Sequence, residues 1–142
     1  MSTTEHFVGK VAQKALITAG DCILICRDID DEDIWELPGG RLHNDEQPFQ
    51  GVQRELQEEL GVDLPEGQIM YLEQFFQQRT GERSLLLVYH ISVAREQYIF
   101  HPNQQEIAEI RWVTKDDIKS YKMYPNCERA IQYYFHNTRN IF

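Results

Sequence analysis

Residues 37–62 read LPGGRLHNDEQPFQGVQRELQEELGV. Glu55, Glu58 and Glu59 lie within five consecutive positions, next to Arg54 and downstream of the pair Gly39-Gly40. At roughly 100° per residue, with Glu55 set at zero, Glu58 falls near −60° and Glu59 near +40°. All three carboxylates therefore share about 100° of one helix face. Phe49, Val52, Leu56 and Leu60 form an apolar face, and Gln50, Gln53 and Gln57 form an amide-rich face turned to water. Like charges four apart repel, and a helix's C-terminal half disfavours anions, so local propensity does not explain the cluster. The bland alternative is a solvated acidic face. A hard divalent cation accounts for the convergence better, because magnesium takes oxygen ligands and carboxylates are its usual protein donors. Arg54, four before Glu58, is placed to hold and orient a carboxylate. Gly51 shares the face, and either close packing on the preceding loop or clearance beside a metal suits it, with packing favoured.

Flanking elements must position this helix. It is expected over Pro48–Leu60, with Pro48 at a first helical position and Gly61 just past the end. Val11–Thr18 and Cys22–Arg27 read as strands around the turn AGD. Trp35 to Leu37 reads as a brief strand stopped by Pro38-Gly39-Gly40, and RLHNDEQ as a loop. Ile69–Arg79 and Ser84–Ala94 flank TGE as a hairpin. A short strand near Ile110–Val113 leads into a helical turn, and Asn126–His136 reads as a helix. The order predicts a mixed sheet with helices packed on its faces. Trp35 and Trp112, in strand-like apolar runs, are expected in the core.

The chain has 142 residues, 42% of them hydrophobic, which suits one domain over residues 1–142 and argues against disorder. Its formal net charge of −9 argues against a nucleic-acid-coating protein, but not against a phosphate substrate met through bound cations. No apolar run approaches the roughly 18 residues of a membrane span, and MSTTEHFVGK lacks the pattern of a secretory signal. Cys22, Cys26 and Cys127 read as reduced structural thiols in a cytoplasmic setting, without the spacing of a zinc site. The five histidines also lack metal-ligand spacing; His43 and His101 could assist proton transfer, with surface roles favoured.

Gly40, Glu46, Arg54, Glu55, Leu56, Glu58, Glu59, Gly61 and Val62 match every fixed position of G-x5-E-x7-R-E-U-x-E-E-x-G-U, where U is a bulky aliphatic. The chain thus resembles the Nudix hydrolase family over nearly its whole length. The resemblance implies an α/β/α sandwich with a mixed β-sheet and a loop–helix–loop catalytic box. It implies metal-dependent hydrolysis of a pyrophosphate bond in a nucleoside diphosphate linked to another group, with Mg²⁺ as cofactor and Mn²⁺ as a substitute. Glu58 and Glu59 match metal ligands, and Glu55 matches a ligand or base. The carbonyl of Gly39 matches a further ligand. Glu46 matches a structural glutamate tied to Arg54. Glu106, six before Trp112, matches a further acidic residue, with Glu109 as its rival.

The expected substrate is a (deoxy)nucleoside triphosphate, cleaved to the monophosphate and pyrophosphate. A nucleotide sugar of the ADP-ribose type, or a non-catalytic nucleotide-sensing domain, is the alternative. Ile107 stands where members that cleave GDP-mannose have histidine, and Gln78 stands where two other subclasses carry Pro or Tyr, so subclass markers do not choose. Arg79 and Arg83, in FFQQRTGERS, are candidates to meet phosphate, although a plain hairpin tip fits equally. A homodimer is left open.

Overall fold

The computed structural model describes residues 4–31, 33–77 and 79–137. Gln78 lies outside them. The elements are β1 (Lys10–Ala19), β2 (Cys22–Asp28), β3 (Trp35–Glu36), β4 (Gly39–Arg41), α1 (Pro48–Leu60), β5 (Gln68–Gln77), β6 (Glu82–Ser92), β7 (Ile107–Thr114) and α2 (Pro125–Asn137). Short 3₁₀ turns occupy Arg95–Gln97 and Asp117–Ser120.

The strands form one mixed sheet, running β3-β2-β1-β6-β5, with β4 also paired to β1 and β7 to β2. The β1–β6 pairing is parallel and the others are antiparallel. Strand alternation divides the core in two. Ala15, Ile17 and Ala19 pack with Val52, Leu56 and Leu60 of α1. Leu16 packs with Leu86 and Val88 and with Cys127, Ala130 and Ile131 of α2. One helix thus covers each face, giving the α/β/α sandwich. Truncating a residue such as Leu56 to alanine in a core of this kind costs roughly 2–5 kcal/mol. Trp35 is buried, and Trp112 is half-buried edge-on to Phe100.

The box helix starts and stops where its sequence implies. The N–H of Gln47 donates to the Gln50 side chain at 2.9 Å, and Gly61, at φ 59°, closes the other end. The segment after Pro38 departs from expectation. Gly39–Arg41 is not a stop and a loop but a strand, in register with Ala12–Lys14. Glycine ordinarily weakens a strand, and it is kept where another backbone comes close. At Gly39, with φ 145°, an added Cβ would lie 2.0 Å from the carbonyl oxygen of Gln13. The last sheet strand also begins earlier than Ile110, at Ile107. Gly51 is a packing contact: a Cβ there would lie 2.4 Å from Gln13 Oε1 and 2.8 Å from Leu42 Cδ1.

Candidate active site

Arg54 organises the acidic face of α1. Its Nε donates to Glu46 Oε2 at 2.6 Å, and one terminal nitrogen reaches Glu46 Oε1 at 3.2 Å and the Arg41 carbonyl at 3.0 Å. The other terminal nitrogen donates to Glu55 Oε1 at 2.9 Å and lies 3.3 Å from Glu58 Oε2. One planar cation therefore ties the loop after β4 to the helix and holds two carboxylates of the cluster. Glu46 Oε1 also accepts the His43 N–H at 2.8 Å, which closes the loop on itself. The Arg54 hydrogen bonds, and next the His43 N–H, hold Glu46 down to about 2.

Glu59 sits on the other side of the cluster and accepts the Gly39 N–H at 2.9 Å. Burial pushes its carboxyl up to about 8; Lys14 and the Gly39 N–H pull it down, and Glu55 adds to the rise. Gly40 completes the approach: a Cβ there would lie 2.4 Å from Glu55 Oε1. The cluster thus leans on bare backbone of β4. Among the described residues, no three carboxylates, imidazoles or thiols already converge on one point. Glu55 and Glu58 are drawn toward Arg54, and Glu59 toward Gly39.

On the far side of β4 is a cavity of about 390 Å³, whose lining includes Lys14, Glu36, Gly40, Arg41, Phe75 and Arg79. Gly40 therefore touches both the carboxylate cluster and the cavity. Arg79 lines this cavity. Arg83 is exposed on β6 and does not line it. Lys14, Glu36 and Phe75 are site residues that sequence reasoning passed over, because three separate strands bring them together.

The loop before β7 is fastened to the end of α1. His101 N–H donates to the Leu60 carbonyl at 2.7 Å, and Asn103 N–H to the Glu59 carbonyl at 2.8 Å. These bonds satisfy carbonyls that a helix end leaves open. Glu106 is exposed in the turn that follows, and no side-chain partner is found for it among the described residues. Glu109 lies within β7, 2.5 Å from Arg111 Nε and 3.5 Å from Arg27.

The NUDIX domain family model matches residues 10–134. The chain belongs to this family of Nudix hydrolases. Nudix hydrolases act on small nucleotides and generally depend on divalent metal. Among curated proteins, the chain is similar to an 8-oxo-dGTP diphosphatase from Proteus vulgaris, 57% identical over 30 residues, which is 21% of this chain and 27% of that protein. The similarity is thus confined to about a quarter of the relative's length. Among solved structures, it resembles a MutT Nudix hydrolase from Burkholderia pseudomallei at TM-score 0.75 and 21% identity, covering 87% of this chain and 95% of that one. A MutT protein from Methanosarcina mazei gives TM-score 0.73 and 24% identity, with 90% and 94% covered. These neighbours share the Nudix fold. No helix among the described residues is long and apolar enough to cross a membrane.

The Glu46–Arg54 pairing sets a pH signature. A carboxylate held below its ordinary value of 4.5 contributes stability that is present above that value and lost as pH falls through about 2. Thermal unfolding followed against pH is therefore expected to show wild type melting above Glu46→Gln at neutral pH. The gap should close between about 4.5 and about 2. A gap that does not change with pH would show that this pairing contributes nothing to the fold.

Proposed function

We propose that this Nudix protein is a divalent-metal-dependent pyrophosphohydrolase of a small nucleotide, with a (deoxy)nucleoside triphosphate split to monophosphate and pyrophosphate. The observation that carries this reading is the close approach of Gly40 to the Glu55 carboxylate on one side and to the cavity lined by Arg41 and Arg79 on the other. A phosphate chain held by those cations would lie against the glycine backbone, with the acidic cluster directly behind it.

The residues fit a divalent cation. The donor set is all oxygen, Glu59 is a half-buried carboxyl that desolvation pushes up despite Lys14 nearby, and Gly40 leaves no side chain in the way. Glu55, Glu58 and Glu59, with the Gly39 carbonyl, would hold Mg²⁺, or Mn²⁺ in its place. When bound, the cation supplies neutralisation of the phosphoanhydride oxygens and a more acidic water. Arg54 keeps Glu55 and Glu58 oriented in its absence, with Gly61 and the Gly40–Glu46 loop fixing the two ends of the helix. Arg41 and Arg79 bind phosphate oxygens, and Arg83 is left to the outer surface. Glu106 takes the role of extra carboxylate: its side chain has no partner among the described residues, it lies on a loop anchored to the end of α1, and it is able to accept a proton from water.

Incubating the protein with a panel of nucleoside triphosphates and nucleotide sugars, with and without Mg²⁺ or Mn²⁺, tests the activity. Metal-dependent release of monophosphate and pyrophosphate is expected, lowered by two or more orders of magnitude in Glu58→Gln or Glu59→Gln while both variants still fold. No cleavage of any phosphoanhydride under either metal would end the reading. Full activity of Glu58→Gln at saturating Mg²⁺ would remove Glu58 from the ligand set.

The base assignment has its own test. Glu106→Gln is expected to reduce kcat strongly and to alter the pH profile. Glu109→Gln, which disturbs a surface ion pair worth under about 1 kcal/mol, is expected to change little. Reversed effects in the two variants would transfer the role to Glu109.

A further inference from the structure

Lys14 breaks the pattern of its strand. Alternation along β1 puts Ala12, Lys14 and Leu16 on the side covered by α2, where Ala12 and Leu16 pack into the core. An apolar residue is the expected occupant. Lys14 instead sets its Nζ 2.8 Å from Glu36 Oε1, with side-chain exposures of only 15% and 18%. A half-buried ion pair of this kind is weak evidence for stability, because apolar residues of similar volume often serve as well or better. Departures from pattern of this sort gather at functional positions.

The pair also forms part of the cavity wall, with Phe75 and Leu86 among the apolar residues beside it. Two other polar groups there are already engaged: the Tyr124 hydroxyl donates to Asp31, and Asn126 Oδ1 accepts the Cys127 N–H at 2.8 Å. Lys14 has three N–H donors, and Glu36 accounts for one among the described residues. Glu36 keeps its second oxygen. The cavity thus offers a cationic donor and an anionic acceptor side by side, next to an aromatic ring.

From this geometry we propose that the Lys14–Glu36 pair is the specificity-determining element of the cavity, reading the edge of a nucleotide base and favouring a carbonyl beside a ring N–H over an amine beside a bare ring nitrogen. This rests on the reading of the cavity as a nucleotide site. Both kinds of edge offer one acceptor and one donor, so hydrogen-bond count alone does not choose between them. Charge does. A ring N–H flanked by a carbonyl is far more acidic than an exocyclic amine, and a bare ring nitrogen turned toward Glu36 would set its lone pair against the carboxylate. Hydrogen bonds accepted by a carboxylate strengthen with the acidity of the donor, so Glu36 sets the preference and Lys14 donates to the neighbouring carbonyl. Guanine, hypoxanthine and uracil carry the favoured edge; adenine and cytosine carry the other.

Calorimetric titration with nucleoside monophosphates tests the pair without requiring turnover. Wild type is expected to bind GMP, IMP and UMP at least about ten-fold more tightly than AMP and CMP, respectively by ring size, a modest use of charge-assisted bonds. In Lys14→Met/Glu36→Leu that ratio is expected to fall to near one, while the melting temperature stays level or rises. Glu36→Gln keeps the side chain's shape and removes its charge; it is expected to lose most of the preference, and it serves as the test if the double variant does not fold. Equal affinities in wild type, no saturable binding of any monophosphate, or a preference that survives in the variants would each overturn the proposal. Selective binding without hydrolysis of any nucleotide would overturn the catalytic reading and leave this one standing.

Discussion

Arg54 is the constraint on which the site depends. Three carboxylates on one turn of helix repel one another, and near the helix C-terminus the backbone dipole adds to their cost. A single guanidinium meets Glu46, Glu55, Glu58 and the Arg41 carbonyl at once. Its fork geometry is what makes this possible; lysine, a point charge on a flexible stem, cannot fix several planar acceptors in set directions. The same contacts fasten the loop between β4 and α1 to the helix, so the residue that balances charge also fixes the fold around the cluster.

The second constraint is thinness. β4 is the wall between the acidic helix and the cavity, and Gly39 and Gly40 leave its first two positions without side chains. Each glycine faces a different obstacle. At Gly39 a Cβ would strike the backbone of Gln13, and at Gly40 it would strike the Glu55 carboxylate. The first protects the pairing of β4 with β1, and the second protects the approach of the carboxylates. Burial does the rest, since Glu59 is raised to about 8 in the space behind the wall. Its proton and a divalent cation are competitors for the same oxygens.

Much of this was legible in the sequence for physical reasons. The box helix runs Pro48–Leu60 as its periodicity and end residues imply, because an apolar stripe, a proline at the start and a left-handed glycine at the end all agree. The Glu46–Arg54 pairing followed from the family pattern. β4 was not legible: two consecutive glycines after proline carry every local sign of a strand's end, and only the tertiary approach of Gln13 explains them as strand. The cavity was hidden for a related reason. Lys14, Glu36 and Phe75 come from β1, β3 and β5, and no local window joins them. Lys14 nonetheless left a signal, a charged residue at a position of β1 where alternation calls for an apolar one.

The central claim is that nucleotide phosphates lie against the Gly39–Gly40 wall, within reach of a metal held by the α1 carboxylates. Phosphorus relaxation of a bound, non-hydrolysable nucleoside triphosphate analogue, measured with Mn²⁺ on the protein, tests it most directly. The paramagnetic effect falls steeply with distance, so the phosphorus signals should broaden strongly and the base protons much less. That broadening should disappear in Glu59→Gln. Phosphorus signals that relax no faster than the base protons, or that broaden equally without Glu59, would contradict the account.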